Sequence, residues 1–127
     1  MRQAGVVAAA GLFALEHVIP HLHKDHDKAS QIAMCIESTP GLSVTHKVET
    51  NIVFFSVANG QAALMKTLCA QHNVLIGAYG DDICRVVTHL DVKGAGDVLR
   101  ICEVIKKCAA SVFKTRLVGP LSSTKTT

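Results

Sequence analysis

The sequence has 127 residues, 49% of them hydrophobic, which is enough to bury one core but hardly two. At 18% charged residues it is too polar for a membrane protein and too apolar for a disordered chain. Thirteen basic residues against ten acidic ones leave +3, scattered along the chain with no Trp and one Tyr, so the basic stripe and stacking aromatics of a nucleic-acid binder are missing.

Met1-Arg2 and the apolar run from Ala4 to Leu15 imitate a signal peptide. Glu16 and His17 follow without an A-x-A type of cleavage site, and the run is too short to span a bilayer. The segment from Gln3 to about Val18, rich in Ala and Leu, instead predicts a well-buried helix. Pro20 interrupts it or starts a new one. Leu22 to Ile36 predicts a second helix, with Leu22, Ala29, Ile32, Ala33 and Ile36 inward and Lys24, Asp25 and Lys28 toward water. Thr39-Pro40-Gly41 is a stop and turn.

The period then changes. Leu42 to Thr45 predicts a short extended piece, and Asn51 to Val57 a strand whose two apolar faces place it centrally in its sheet. Asn59-Gly60 opens a helix with Leu64, Met65, Leu68 and Cys69 inward. Val74 to Ile76 predicts another short strand, Gly80-Asp81-Asp82 a turn, and Ile83 to His89 a further strand. Val98, Ile101, Cys102, Ile105, Cys108, Ala109 and Val112 then form an unbroken helical stripe, with Asp97 near its start and Lys106, Lys107 and Lys114 toward its end, as the helix dipole favours. Residues 117–127 lack periodicity and are expected to form a disordered tail, with 1–116 as the folded unit. These elements predict an α+β fold, a small, mainly antiparallel sheet with helices on one face.

Two clusters invite chemistry. The five cysteines, Cys35, Cys69, Cys84, Cys102 and Cys108, are odd in number and contain no C-x-x-C pair; they suit free thiols in a reducing compartment, the cytoplasm. His17, His21, His23 and His26 tempt a metal site, but Pro20 falls between the first two and no Cys or carboxylate set completes a tetrahedron. A solvated helix face is the expectation, with no metal. Arg85, alone in the apolar stretch Ile83–Val87, either pairs with an anion or reaches solvent from an edge strand.

Three stretches carry a family likeness. Met1-Arg2-Gln3-Ala4-Gly5 continues into an alanine-rich helix, Glu49-Thr50-Asn51 opens a strand, and Arg85-Val86-Val87-Thr88-His89-Leu90-Asp91 forms another. In order and spacing they resemble the carboxy-terminal part of the L-threonine aldolases, from Met1 to about Val112. The resemblance implies the small domain of a fold-type I, pyridoxal-phosphate-dependent enzyme with its leading helix, in a family that is usually homotetrameric. That family cleaves L-threonine or L-allo-threonine to glycine and acetaldehyde. It also implies that Arg85 binds the substrate carboxylate, that Arg2 serves the cofactor phosphate, and that Thr88 and His89 support the strand motif. An amino-acid substrate and a homo-oligomer are the implied partners, with neither nucleic acid nor membrane among them.

The family's Schiff-base lysine lies in an S-x-x-K-G turn upstream of the M-R-Q-A-G stretch. None of the nine lysines here has that context; Ser122-Ser123-Thr124-Lys125 is followed by Thr126 rather than Gly. The expectation is a chain with no catalytic residue of its own, inactive in isolation, whose Met1 matches an internal methionine of the family. The alternatives are a non-catalytic truncated or decayed-gene product that associates with intact subunits, and an unrelated α+β binding domain.

Overall fold

The computed structural model describes residues 2–114; the expected tail and the Ser122–Lys125 motif lie outside them. The elements are α1 (Ala4–His17), a 3-10 turn (Ile19–His21), α2 (Leu22–Glu37), β1 (Leu42–Val44), β2 (Ile52–Val57), α3 (Ala62–Gln71), β3 (Gly77–Tyr79), β4 (Ile83–Val87) and α4 (Ala95–Lys114). The sheet runs β1-β2-β4-β3 with every neighbouring pair antiparallel. This is the α+β arrangement expected, with β2 in a central position.

Strand alternation sorts the sheet into two unlike faces. Val53, Phe55 and Val57 of β2 and Cys84 and Val86 of β4 are buried, and form one core with Ile32 and Ile36 of α2, Met65 and Cys69 of α3, and Ile105, Cys108 and Val112 of α4. The alternate positions, Ile52, Phe54 and Ser56 on β2 and Ile83, Arg85 and Val87 on β4, belong to the other face and stay at least partly open. At Gly41 (φ 82°) the turn between α2 and β1 leaves no room for a side chain, because a Cβ there would run into the Phe113 ring of α4.

Three expectations need correcting. The third strand lies at Gly77–Tyr79, not Val74–Ile76. Val74 is still tied to α3 through its N–H on the Cys69 carbonyl (3.0 Å), and Val74 and Ile76 are buried without pairing in the ladder. Their apolar side chains record burial rather than strand pairing. Asp25 is buried rather than solvated, and Lys28 reaches back to it at 2.9 Å, while Leu22 at the helix start is exposed. The first turn of α2 is pulled inward because the Asp25 carbonyl accepts the Thr88 hydroxyl from beyond β4.

The third correction concerns α1, which forms as predicted but buries none of its residues. Val6 is 74% exposed, and Val7, Leu12, Phe13 and Leu15 are also open. By length and composition, the helical run Ala4–Glu37 passes for a membrane span. However, α1 has 14 residues, which reach about 21 Å against a hydrocarbon core of about 30 Å. Pro20 and the 3-10 turn end it, and α2 turns its own apolar face into the core. An apolar helix left this open is an association surface. The isolated chain is therefore expected to self-associate in analytical ultracentrifugation, with Val7→Glu plus Leu12→Glu shifting it toward monomer. A wild-type chain that sediments as a monomer and unfolds cooperatively would contradict this.

Candidate functional site

Arg85 stands in the middle of β4, directly opposite Phe54 of β2 on one side and Gly77 of β3 on the other. It therefore occupies the sheet face turned away from the helices, among aromatic neighbours. Its Cζ lies 5.0 Å from the centroid of the Tyr79 ring. Phe54 meets Tyr79 edge-on at 6.3 Å and His46 at 6.0 Å. A cavity of about 310 Å³ lined by His46, Lys47, Glu49, Thr50, Ile52 and Phe54 shares the Phe54 wall.

The Arg85 side chain is half-buried, and its Nε–H is buried with no hydrogen-bond partner among the described residues. A guanidinium cannot shed its charge, and an unsatisfied buried donor costs about 1–3 kcal/mol, more when charged. The Tyr79 ring lies 5.0 Å from the guanidinium carbon, and a π face does not replace an oxygen acceptor at the Nε–H. Chemically, the arrangement is ready for an anion with oxygens in that plane, and a carboxylate matches the fork through two parallel bonds. A larger groove of about 740 Å³ lies between α2 and β1. We place the site at Arg85 because the carboxylate lining that groove, Glu37, already accepts the Val44 N–H at 2.6 Å.

The two strand motifs meet in one clamp. Asn51 donates its side-chain amide to the Thr88 carbonyl (2.7 Å), and the Thr88 N–H donates to the Asn51 carbonyl (2.9 Å). The fully buried Thr88 hydroxyl donates to the Asp25 carbonyl at 2.7 Å. Thr88 thus fixes the end of β4, three residues beyond Arg85, to both β2 and α2. Thr88→Val keeps the shape and removes the hydroxyl, leaving the Asp25 carbonyl without that donor. We expect a loss of about 1–3 kcal/mol in urea unfolding; a loss below about 0.5 kcal/mol, as for an ordinary surface substitution, would contradict the clamp.

His89 is exposed, and its ring Nδ1 accepts the Asp91 N–H at 3.3 Å and lies 3.5 Å from the Asp91 carboxylate. Its recorded contacts therefore run to the following turn rather than to Arg85. Arg2 is exposed just ahead of α1, where Gln3 adopts a left-handed conformation (φ 59°). Among the described residues no group of three or more His, Cys, Asp or Glu could hold a metal. His17 and His23 instead have a ring nitrogen at hydrogen-bond distance from the backbone carbonyls of Phe13 and Pro20. Burial pushes the Cys84 thiol up to about 11 and, with help from Cys35, Cys102 up to about 12. Cys69 rises for the same first reason, reinforced by Cys108. Burial thus favours the neutral thiol, the poorer nucleophile, at all three. Sequence reading placed Asn51 in the Glu49-Thr50-Asn51 motif and Phe54 on an apolar strand face without giving either a part in the site, while Tyr79 and His46 needed tertiary placement.

Comparison with known proteins gives a broad likeness first. Residues 1–60 match the family model of the beta-eliminating lyases. That stretch includes all of α1. The chain is also similar to L-threonine aldolases. It is 40% identical over 92 residues to the low specificity L-threonine aldolase of Escherichia coli K12, covering 72% of this chain and 26% of that protein. It is 32% identical over 93 residues to low-specificity L-threonine aldolase 1 of Arabidopsis thaliana, covering 70% and 26%. The chain thus spans about a quarter of the length of these relatives. Its fold is shared with Oryza sativa TDC, solved with PLP and tryptamine, at a TM-score of 0.60 and 16% identity over 72% of this chain and 23% of that one.

Proposed function

We propose that this chain is the small-domain portion, with its leading helix, of a pyridoxal-phosphate-dependent L-threonine aldolase, and that Arg85 grips the substrate carboxylate. The observation that carries the proposal is the buried, unpartnered Nε–H of Arg85 on the open face of the sheet. Retro-aldol cleavage of a β-hydroxy amino acid needs an electron sink, a base for the hydroxyl proton and a carboxylate anchor. Pyridoxal phosphate supplies the sink when a lysine holds it. Arg85 supplies the anchor, fixing the orientation of the amino acid as well as its charge.

In this reading the described residues form the substrate end of such a site and the covalent hold on the cofactor is assigned to none of them. Lys47, the lysine lining the cavity beside Phe54, is exposed and paired with Glu49 at 2.8 Å. A lysine that forms a covalent bond to a carbonyl attacks as the free amine, not from within an ion pair. Arg2 toward a cofactor phosphate, the 1–116 unit, assembly into a homo-oligomer and a cytoplasmic setting complete the proposal. The bare apolar α1 also supports a second use, in which the chain associates with intact subunits without catalysing anything itself.

The chain alone, supplied with pyridoxal phosphate, is expected to show neither an absorbance band from covalently held cofactor nor acetaldehyde release from L-threonine. Grafted in place of the matching segment of the Escherichia coli relative, it is expected to support turnover that Arg85→Ala removes. Turnover by the isolated chain, or a cofactor-loaded graft indifferent to Arg85→Ala, would overturn the proposal.

A further inference from the structure

Gly77 and Tyr79, the two ends of β3, bear on Arg85 in a way the anchor role alone does not require. Gly77 is not among the glycines with positive φ, so its backbone conformation is open to any residue. The space beside it is not. A Cβ at position 77 would stand 2.9 Å from Cε2 of the Tyr79 ring and 3.6 Å from its hydroxyl oxygen. The missing side chain therefore makes room for a ring folded back along its own strand. Gly77 also sits directly opposite Arg85, which places that ring diagonally across the pair with its centroid 5.0 Å from the guanidinium carbon. Phe54 closes the other side in register, and its ring meets Tyr79 edge-on.

We propose that Tyr79, seated in the side-chain space left by Gly77, is a positioning residue that aims the Arg85 guanidinium and thereby sets its affinity for carboxylates. The inference rests on the carboxylate role proposed for Arg85 and adds to it the device that holds the fork. An arginine side chain has many rotamers, and each carboxylate bond it forms must overcome that freedom. A ring packed 5.0 Å from the guanidinium carbon removes rotamers from the side chain, so that less freedom is lost when a carboxylate binds the fork with both oxygens. Tyr79 itself is 45% exposed, so its removal leaves the core on the opposite face untouched.

The test is an acetate titration of the full chain, followed through the arginine Nε–Hε resonances, with sodium chloride at matched ionic strength as control. Arg85→Met assigns the signal. Tyr79→Ala and Gly77→Ala are each expected to weaken acetate binding by about three- to tenfold, while Tyr79→Phe stays within about twofold of wild type. Urea unfolding of Tyr79→Ala should be unchanged, which a merely structural role would not allow. As a second readout, Tyr79 is the only tyrosine in a chain without tryptophan, so wild-type and Gly77→Ala binding can also be followed by tyrosine fluorescence. Acetate binding by Tyr79→Ala equal to wild type would overturn the inference and leave Arg85 as the anchor. A wild-type chain as unresponsive as Arg85→Met would overturn the anchor, and this inference with it.

Discussion

Phe55→Ala is expected to destabilise the chain by about 3–5 kcal/mol, the range for removing a large aromatic side chain from a packed core. Phe55 is fully buried, heads the fully buried side chains by volume, and lies on β2 between Val44 of β1 and Cys84 of β4. A domain of this size has about 5–15 kcal/mol of stability in total, so the variant sits at the edge of folding. A urea denaturation series reads the effect directly. Phe54→Ala, one residue earlier, is the internal control, because Phe54 belongs to the open face and is only half-buried. Its cost should be much smaller, about 1 kcal/mol or less. Equal costs would contradict the placing of Phe55 on the core face of β2 and Phe54 on its open face.

The helices and the two long strands were legible because each presents one face to a single core, and burial on one side writes a period into the sequence. The stripe of α4 from Val98 to Val112 and the alternation in β2 are of this kind. The misplacement of β3 has the opposite cause. Val74 and Ile76 are apolar because they are buried on leaving α3, while Leu75 between them is 86% exposed, and neither fact requires a strand partner. Asp25 looked solvated because the contact that draws α2 inward comes from Thr88, 63 residues away. For α1, helix formation was local and legible, whereas its burial depends on a surface that residues 2–114 do not provide.

The site divides in the same way. Arg85 stood out as a lone charge in an apolar strand, and the family motif around it gave it a role. The Asn51–Thr88 clamp was present in the letters as two separate motifs, and only the pairing of β2 with β4 joins them. Tyr79 carried no signal beyond being the single tyrosine, since its relation to Arg85 depends on the empty side-chain position at Gly77.

The second large effect is the loss of amino-acid carboxylate recognition in Arg85→Met, which also provides the most direct measurement. L-threonine and L-threoninol differ in that the alcohol lacks the carboxylate, so a titration with each isolates the bond assigned to the guanidinium. Truncating one partner of a desolvated, hydrogen-bonded charge pair costs about 2–5 kcal/mol, or at least about thirtyfold in affinity. The wild-type chain should therefore respond to L-threonine at least about thirtyfold more tightly than to L-threoninol, and Arg85→Met should lose that difference. Equal binding of the two compounds by the wild type, or an Arg85→Met chain that still prefers L-threonine, would contradict the account.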